Sequence, residues 1–506
     1  MAEAPVLPYR PQPPRPRWGV RVPPNKTLST VRPIAACPLP DEVLIPLDCG
    51  PAGIATALVQ PGQRVATGEL IGLSEDGGRV HASLSGIVLD EEEHPVPGRP
   101  GAIAPCLRLR SDGEDRWHPM LRPIAEPLAL PPAQLRERIA EAGIVGLGGA
   151  LFPTADKLAA AEELELLIIN GAECEPYISC DEMLMRERPG LVLDGVRLML
   201  HASGAPRAVI AVESDMPEAQ RALLDELQRA ADPRIGIAVV TAKYPAGGER
   251  QLIELLTGRE VPAGGLPTDI GCLCHNVATA AAVADLAASG RPLISRLVTV
   301  TGRGVAEPRN LEARIGTPLA ALVAAAGGYC CDSPRLIMGG PMMGRLLPGD
   351  ELPVTKASNC LIVAAPGELT GPRPEYPCIR CGECSRVCPA RLLPQELLLA
   401  GRAGNVLALA ELQLDACIEC GCCDYVCPSH IDLTAAFVQA KRRLSQALRA
   451  RSRAHQARAR SEARAARLRN RNSAVASYQE AELTTDDLAA LLERVKAREQ
   501  ERGDAD

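Results

Sequence analysis

Aromatic residues are nearly missing from this chain: two Phe, two Trp and seven Tyr among 506 residues. Its cores must therefore be built from Leu, Val, Ile and Ala. Nucleic acid is disfavoured as a partner class, because no stacking rings accompany the basic residues. Long apolar runs are missing too. The longest candidate, residues 315–330, is broken by Gly316, Pro318, Gly327 and Gly328, so no membrane-spanning helix is predicted. No apolar signal core follows the N-terminus, which runs Pro-rich from residue 5 to residue 24. The chain is expected to be soluble, or bound to a membrane only at its surface. The 19 Cys form no disulfide framework, and adjacent pairs such as Cys330-Cys331 speak against one. A reducing cytoplasm fits best.

What the cysteines do form is a repeat. Cys378-Ile-Arg-Cys381-Gly-Glu-Cys384-Ser-Arg-Val-Cys388-Pro389 recurs as Cys417-Ile-Glu-Cys420-Gly-Cys422-Cys423-Asp-Tyr-Val-Cys427-Pro428. Each copy reads C-x2-C-x2-C-x3-C-P, the spacing that wraps a cubane iron–sulfur cluster, with the fourth Cys reaching the other cube. Cys378, Cys381, Cys384 and Cys427 are predicted to hold one [4Fe–4S] cluster, and Cys417, Cys420, Cys423 and Cys388 the second. Structural zinc is the competing reading, since paired C-x2-C also suits tetrahedral zinc. It leaves the third Cys of each triplet and the Pro after each fourth Cys without a role. Cys422 is out of register and is read as a bystander. Two adjacent one-electron centres imply that the chain moves electrons.

Charge is unevenly spread. Residues 441–472 carry twelve Lys and Arg against one acid, Glu462, whereas the whole chain is at −7. That stretch has no Gly or Pro and favours a helix. It reads either as a solvated or disordered tail or as a contact for an anionic membrane surface or acidic partner.

Patterning divides the rest into a multidomain α/β and α+β protein. An N-terminal extension (1–42) precedes short β-period strands over 43–121, which resemble the barrel-sandwich fold of biotinyl and lipoyl carrier domains. The carriers need a modified Lys, and residues 44–110 contain none, so the fold is expected without the swinging arm. Residues 122–292 alternate helix and strand, with a helix over 132–142 and strands over 164–170, 208–212 and 235–240. A β-grasp module is expected over 293–368, an α-helical two-cluster ferredoxin domain over 369–438, and a basic helical or disordered tail over 439–506.

A second chemical site lies in the α/β part. Gly146-Leu-Gly148-Gly149-Ala-Leu-Phe152-Pro153-Thr154-Ala-Asp-Lys157 is a Gly-rich loop entering a helix, where backbone N–H groups approach an anion and Lys157 adds charge. It follows a helix rather than a strand, so the dinucleotide fingerprint does not apply. The next strand ends in Asn170-Gly171-Ala-Glu173-Cys-Glu175-Pro176, where α/β sheets place ligands. This reads as a polar turn or as hydrogen bonding to a flavin ring or a nicotinamide ribose. Tyr244-Pro-Ala-Gly247-Gly248-Glu249 and His275-Asn276-Val277-Ala278-Thr279 add two polar loops.

In this order the motifs resemble the flavin- and NADH-binding subunit of respiratory complex I. The resemblance implies that Gly146, Gly148, Gly149, Lys157, Asn170, Glu173, Glu175 and Asn276 line flavin mononucleotide (FMN), with Phe152 beside the nicotinamide cofactor. Leu147 stands where that family has Arg, Leu151 where it has Gly, and His275 and Ala278 replace Asn and Glu. With the barrel-sandwich start, the cluster pair and the basic tail, essentially the whole chain resembles the C subunits of Rnf complexes. Residues 168–178, 337–343 and 378–381 match that family closely. Those complexes are ion-translocating NAD:ferredoxin oxidoreductases of bacterial membranes. The resemblance implies a peripheral electron-input arm on the cytoplasmic side of the inner membrane. NADH would give electrons to FMN and then to both clusters, with the other subunits of the complex and a ferredoxin or ferredoxin-like subunit as partners. A relay without flavin and a soluble diaphorase module are the alternatives.

Overall fold

The computed structural model describes residues 16–98, 101–159, 163–369, 371, 373–480 and 484–503. The first part of the Pro-rich segment, residues 5–15, lies outside them. Strands Glu42–Pro46, Ile103–Ser111, Gly86–Pro95 and Arg64–Val65 form one sheet in that order, and Thr56–Ala57, Leu70–Leu73 and Arg79–His81 a second. Leu47, Ile71, Leu84, Leu107 and Leu109 are fully buried in their common core. Each such side chain contributes about 1.5–3 kcal/mol relative to leaving it in water.

Four parallel strands follow: β1 (Leu166–Gly171), β2 (Ala208–Glu213), β3 (Ile235–Val240) and β4 (Cys272–Asn276), ordered β3-β2-β1-β4. The predicted strands are all present, with ends shifted by at most two residues. Their continuous apolar runs suit a sheet covered on both faces. In β1, Leu167 and Ile169 pack with helices Pro132–Glu141, Pro189–Ser203 and Val277–Ser289, whereas Leu166 and Ile168 pack with Glu249–Thr257. Gly195 lets two of these helices touch: a Cβ there would lie 1.9 Å from the Ala280 carbonyl oxygen. Strand order reverses between β1 and β4, and at such a switch point the carboxyl ends open into a ligand crevice. Asn170 and Asn276 stand side by side at that opening.

The β-grasp region is a six-stranded sheet ordered Ala35–Ala36, Arg309–Arg314, Ser295–Thr301, Cys360–Ala364, Arg335–Met338 and Arg345–Leu346, with helix Leu319–Ala325 against it. Its first strand comes from the N-terminal extension, so that segment is woven into the fold. Lys356 ties three domains together, because its half-buried side chain donates from the ammonium to the carbonyls of Arg79 and Gly143, both at 2.9 Å. Burial pulls its pKa down to about 8.

Short helices Glu383–Val387, Pro394–Arg402, Val406–Glu411 and Cys422–Tyr425 build the cysteine-rich domain. They surround Leu397, Leu398, Leu409, Leu414 and Phe437, the last on helix Leu433–Glu480. That helix is 48 residues long, and the expected boundary at 438/439 falls inside it. Ala440 and Leu444 are still buried in the domain core, whereas residues 445–472 stand almost entirely exposed. The basic stretch is helical, and a second helix, Thr485–Gly503, follows.

Candidate functional site

The two cysteine motifs share a backbone pattern that neither sequence spells out. Arg380 and Glu419 both adopt left-handed φ (56° and 57°), as do Gly382 and Gly421, and Arg391 and His430. Non-glycine residues in this region are strained and cluster at functional sites. Cys378, Cys381 and Cys384 line one cavity together with Cys427. Cys417, Cys420 and Cys423 line another with Cys388. The crossing has a local cause: the Tyr376 amide donates to the Ser429 carbonyl and the Ser429 hydroxyl to the Pro377 carbonyl, both at 2.9 Å. These bonds seat the end of the second motif against the start of the first. Four sulfur donors behind apolar walls, Leu398 and Ile431 in one cavity and Leu392 and Phe437 in the other, suit a cubane cluster. Cys422 borders the second cavity but is fully buried among residues that include Val20 and Tyr244.

A cleft of about 800 Å³ opens at the carboxyl ends of β1 and β4, and all nine predicted flavin and nicotinamide residues line it. The Gly-rich loop closes on itself, with the Gly146 amide donating to the Phe152 carbonyl at 2.8 Å. It is pinned to helix Val277–Ser289 by the Leu147 amide, which donates to Thr279 Oγ1 at 2.9 Å. Leu151 holds a left-handed φ of 54°, the conformation that a Gly would adopt without strain. Its side chain packs against Gly50 of the barrel-sandwich domain. Phe152 presents an exposed ring at the mouth. Lys157 pairs with Glu249 across the cleft at 2.6 Å.

Asn170 donates from Nδ2 to the Gly247 carbonyl at 2.8 Å. Asn276 caps its helix, accepting from the Ala278 amide at 2.8 Å, while its Nδ2 donates to Asp181 Oδ2 at 2.6 Å. Glu175 turns toward the β-grasp module, accepting from the amides of Met342 and Met343 at 2.9 and 2.8 Å. Burial pushes its carboxyl pKa up, against those amides. Its role here is to close the wall of the cleft.

Glu173 caps helix Cys180–Glu187, accepting from the amides of Asp181 and Glu182 at 2.9 and 3.2 Å. Burial raises its pKa to about 8 despite these donors and nearby Lys26. Lys26, from the N-terminal extension, lies within 3.7–4.0 Å of carboxylates of Glu173, Glu182 and Glu213. Desolvation depresses the ammonium, but these acids outweigh it and raise its pKa. Sequence reasoning missed this cation, because nothing in a Pro-rich leader marks one Lys as buried.

Removing the Lys26 charge strands several acids, and losing one partner of a buried ion pair costs about 3–5 kcal/mol. Lys26→Met should therefore lower the thermal midpoint. Glu213, with an ordinary pKa of 4.5, is raised to about 7 by burial, so its favourable protonated form is fully present below 4.5 and lost as pH climbs through 7. The gap between Lys26→Met and the wild type should thus widen from pH 5 to pH 8 in thermal unfolding. A gap independent of pH would remove the ion-pair explanation.

Arg296 and Ile418 also line the cleft without having been predicted. The first had a signal: in Ser295–Thr301, alternation places Arg296 on the same buried phase as Val298 and Val300. Ile418 lines both the cleft and the cavity of Cys417, Cys420, Cys423 and Cys388. Tyr244, another cleft residue, donates from its hydroxyl to the Cys420 carbonyl at 2.7 Å.

Comparison with known proteins agrees with this layout. Residues 15–114 match the RnfC barrel sandwich hybrid domain, 139–285 the Nuo51 FMN-binding domain, 297–346 the SLBB domain and 377–431 the 4Fe-4S dicluster domain. FMN and iron–sulfur clusters are thus its cofactors, and the residues in both places fit them. A solved NAD+-reducing [NiFe]-hydrogenase is 22% identical with a TM-score of 0.46, over 63% of each chain. The C subunit of the ion-translocating oxidoreductase complex of Pseudomonas aeruginosa is 47% identical over 75% of this chain, which spans about half (49%) of that relative's length. The protein of the same name from Rhodobacter capsulatus is 40% identical over 87% of this chain and 84% of its own length. On that match, the chain belongs to the family of C subunits of ion-translocating oxidoreductase complexes.

Proposed function

We propose that this chain is the electron-input subunit of a membrane-bound ion-translocating NAD:ferredoxin oxidoreductase, passing electrons between NADH, FMN and two [4Fe–4S] clusters. The carrying observation is that Ile418 belongs both to the Gly-rich cleft and to a four-cysteine cavity. Bound FMN supplies the exchange between a two-electron hydride and single electrons. Gly146, Gly148, Gly149, Asn170, Glu173, Glu175 and Asn276 frame its site, Lys157 with Glu249 stands at the mouth, and the Phe152 ring offers the nicotinamide a stacking face. The cavity of Cys417, Cys420, Cys423 and Cys388 is then the near station. That of Cys378, Cys381, Cys384 and Cys427 is the far one, and Cys378 and Cys381 are exposed to an outside acceptor. This division of labour follows the domain bounds 43–121, 122–292, 293–368 and 369–438.

Anaerobic purification with cofactor analysis tests the reading. About eight iron and eight sulfide per chain are expected for two cubanes, with one FMN that NADH bleaches. Iron without flavin would instead leave a ferredoxin-like relay.

The partners are taken to be the other subunits of the complex, among them a ferredoxin or ferredoxin-like subunit, and an anionic membrane surface on the cytoplasmic side of the inner membrane. Among the described residues no helix is long and apolar enough to cross a membrane. The exposed Arg-rich part of Leu433–Glu480 supplies the attraction, on the order of 1 kcal/mol per Lys or Arg and screened by salt. Lys441 also donates to the Cys417 carbonyl, so a truncation must spare residues up to Leu444 to leave the cluster domain whole. Deleting residues 449–506 should release the protein from membranes at lower salt while NADH-to-dye transfer is unchanged. Equal retention of both forms across the salt series would make the helix a solvated face.

A further inference from the structure

We propose that Arg296, on the β-grasp sheet, is the cationic ligand of a phosphate group in the cleft. This rests on the reading of the cleft as a flavin and NADH site. Arg296 is 4% exposed yet lines that cleft. Its Nε donates to the Ser358 carbonyl and its Nη2 to the Leu147 carbonyl, both at 3.1 Å. Both acceptors are neutral, and a guanidinium carries five N–H donors and stays protonated in proteins. Among the described residues no carboxylate lies within 4.0 Å of it. The acidic groups that act on it do so from beyond that distance, Cys180 first and then Asp181, which also accepts from Asn276 at 2.6 Å. A buried cation with no directly paired anion is costly, and a ligand that brings negative charge would complete the site.

The surroundings select phosphate. Helix Val277–Ser289, 13 residues long, begins at the cleft with its Asn276 cap, and a helix N-terminus offers free N–H groups and a favourable dipole to an anion. Gly148 adjoins it, since a Cβ there would come 3.5 Å from the Asn276 Cβ. His275 also lines the cleft, 4% exposed, and its buried Nε2 has no hydrogen-bond partner among the described residues. A planar guanidinium fork and a helix terminus on the walls of one cleft suit the several oxygens of a phosphate. Two ligands of the proposed reaction carry such a group: the flavin's terminal phosphate and the dinucleotide's pyrophosphate.

Flavin-stripped full-length protein titrated with FMN and with riboflavin, followed by flavin fluorescence, separates the possibilities. If the flavin phosphate is the partner, Arg296→Gln weakens FMN by about 10–100-fold and leaves riboflavin unchanged. If the pyrophosphate is the partner, FMN affinity holds and the NADH Kd from flavin bleaching rises by a similar factor. Reduced nicotinamide riboside, which lacks phosphate, then reacts as before. Arg296→Lys keeps the charge and guards against a folding defect, and it should retain most of the phosphate preference. Equal losses for FMN and riboflavin, or no loss for any ligand, would overturn the assignment and leave Arg296 as a staple between Leu147 and Ser358. A wild-type chain that binds neither flavin would instead refute the flavin reading beneath it.

Discussion

Replacing Cys427 with Ala should destroy the cluster nested among Cys378, Cys381 and Cys384, which lie 43 or more residues earlier in the sequence. The cluster beside Cys417, Cys420 and Cys423 should survive. Cys427 lines the first cavity, not the second, so the crossed scheme makes its thiolate the fourth corner of the distant cube. Losing one of four ligands converts a closed site into an open one, and the cube is then prone to lose iron. Cys422→Ala is the control. It removes a sulfur from the same motif, but one packed between Tyr244 and Val20. Electron paramagnetic resonance of the dithionite-reduced proteins should show two interacting cubanes in the wild type and Cys422→Ala, and one isolated cubane in Cys427→Ala. Both cubanes retained in Cys427→Ala, or one lost in Cys422→Ala, would break the crossed scheme. The surviving cluster in Cys427→Ala is the one next to the flavin cleft. Flavin reduction by NADH should therefore persist, while transfer to an external acceptor falls by orders of magnitude.

Sequence carried the grouping of the cysteines around two cavities because spacing alone imposes it: three thiols within seven residues can reach only one small object. It also carried the parallel sheet, since Leu167-Ile-Ile followed by Asn170 states both the buried strand and its polar end. Lys26 and Arg296 were harder. Each is a cation whose meaning depends on chain segments more than a hundred residues away, Glu173 for the first and Leu147 for the second. The Leu151 backbone was illegible for a different reason. A leucine in a left-handed turn contradicts local preference, and the contacts that hold it, with the α/β core and with Gly50 of the barrel-sandwich domain, come from distant parts of the chain. The order of the two cavities was equally hidden, because the motifs are near copies and only the fold places Ile418 at the cleft.

Gly148→Val should empty the flavin site and leave both clusters in place. The choice of glycine matters. Gly149 holds a φ of 111°, so any side chain there strains the loop and confounds a binding test with a folding one. Gly148 has no positive φ, and its added Cβ would meet only the Asn276 Cβ at an ordinary 3.5 Å. The apo fold should therefore accept valine, with a thermal midpoint near the wild-type value, while the two extra methyl groups occupy the corner where loop amides and the helix N-terminus face a ligand. Lys157→Glu attacks the same site from its mouth, replacing the 2.6 Å pair with Glu249 by two facing carboxylates. Like charges at that separation repel each other and any phosphate that approaches. Purified anaerobically, both variants should carry iron and sulfide at wild-type levels and less than about a tenth of the wild-type FMN, a loss of at least about 1.4 kcal/mol in binding. Full retention of FMN in both would mean that the cleft at β1 and β4 is not where the flavin lies, whatever family the chain belongs to.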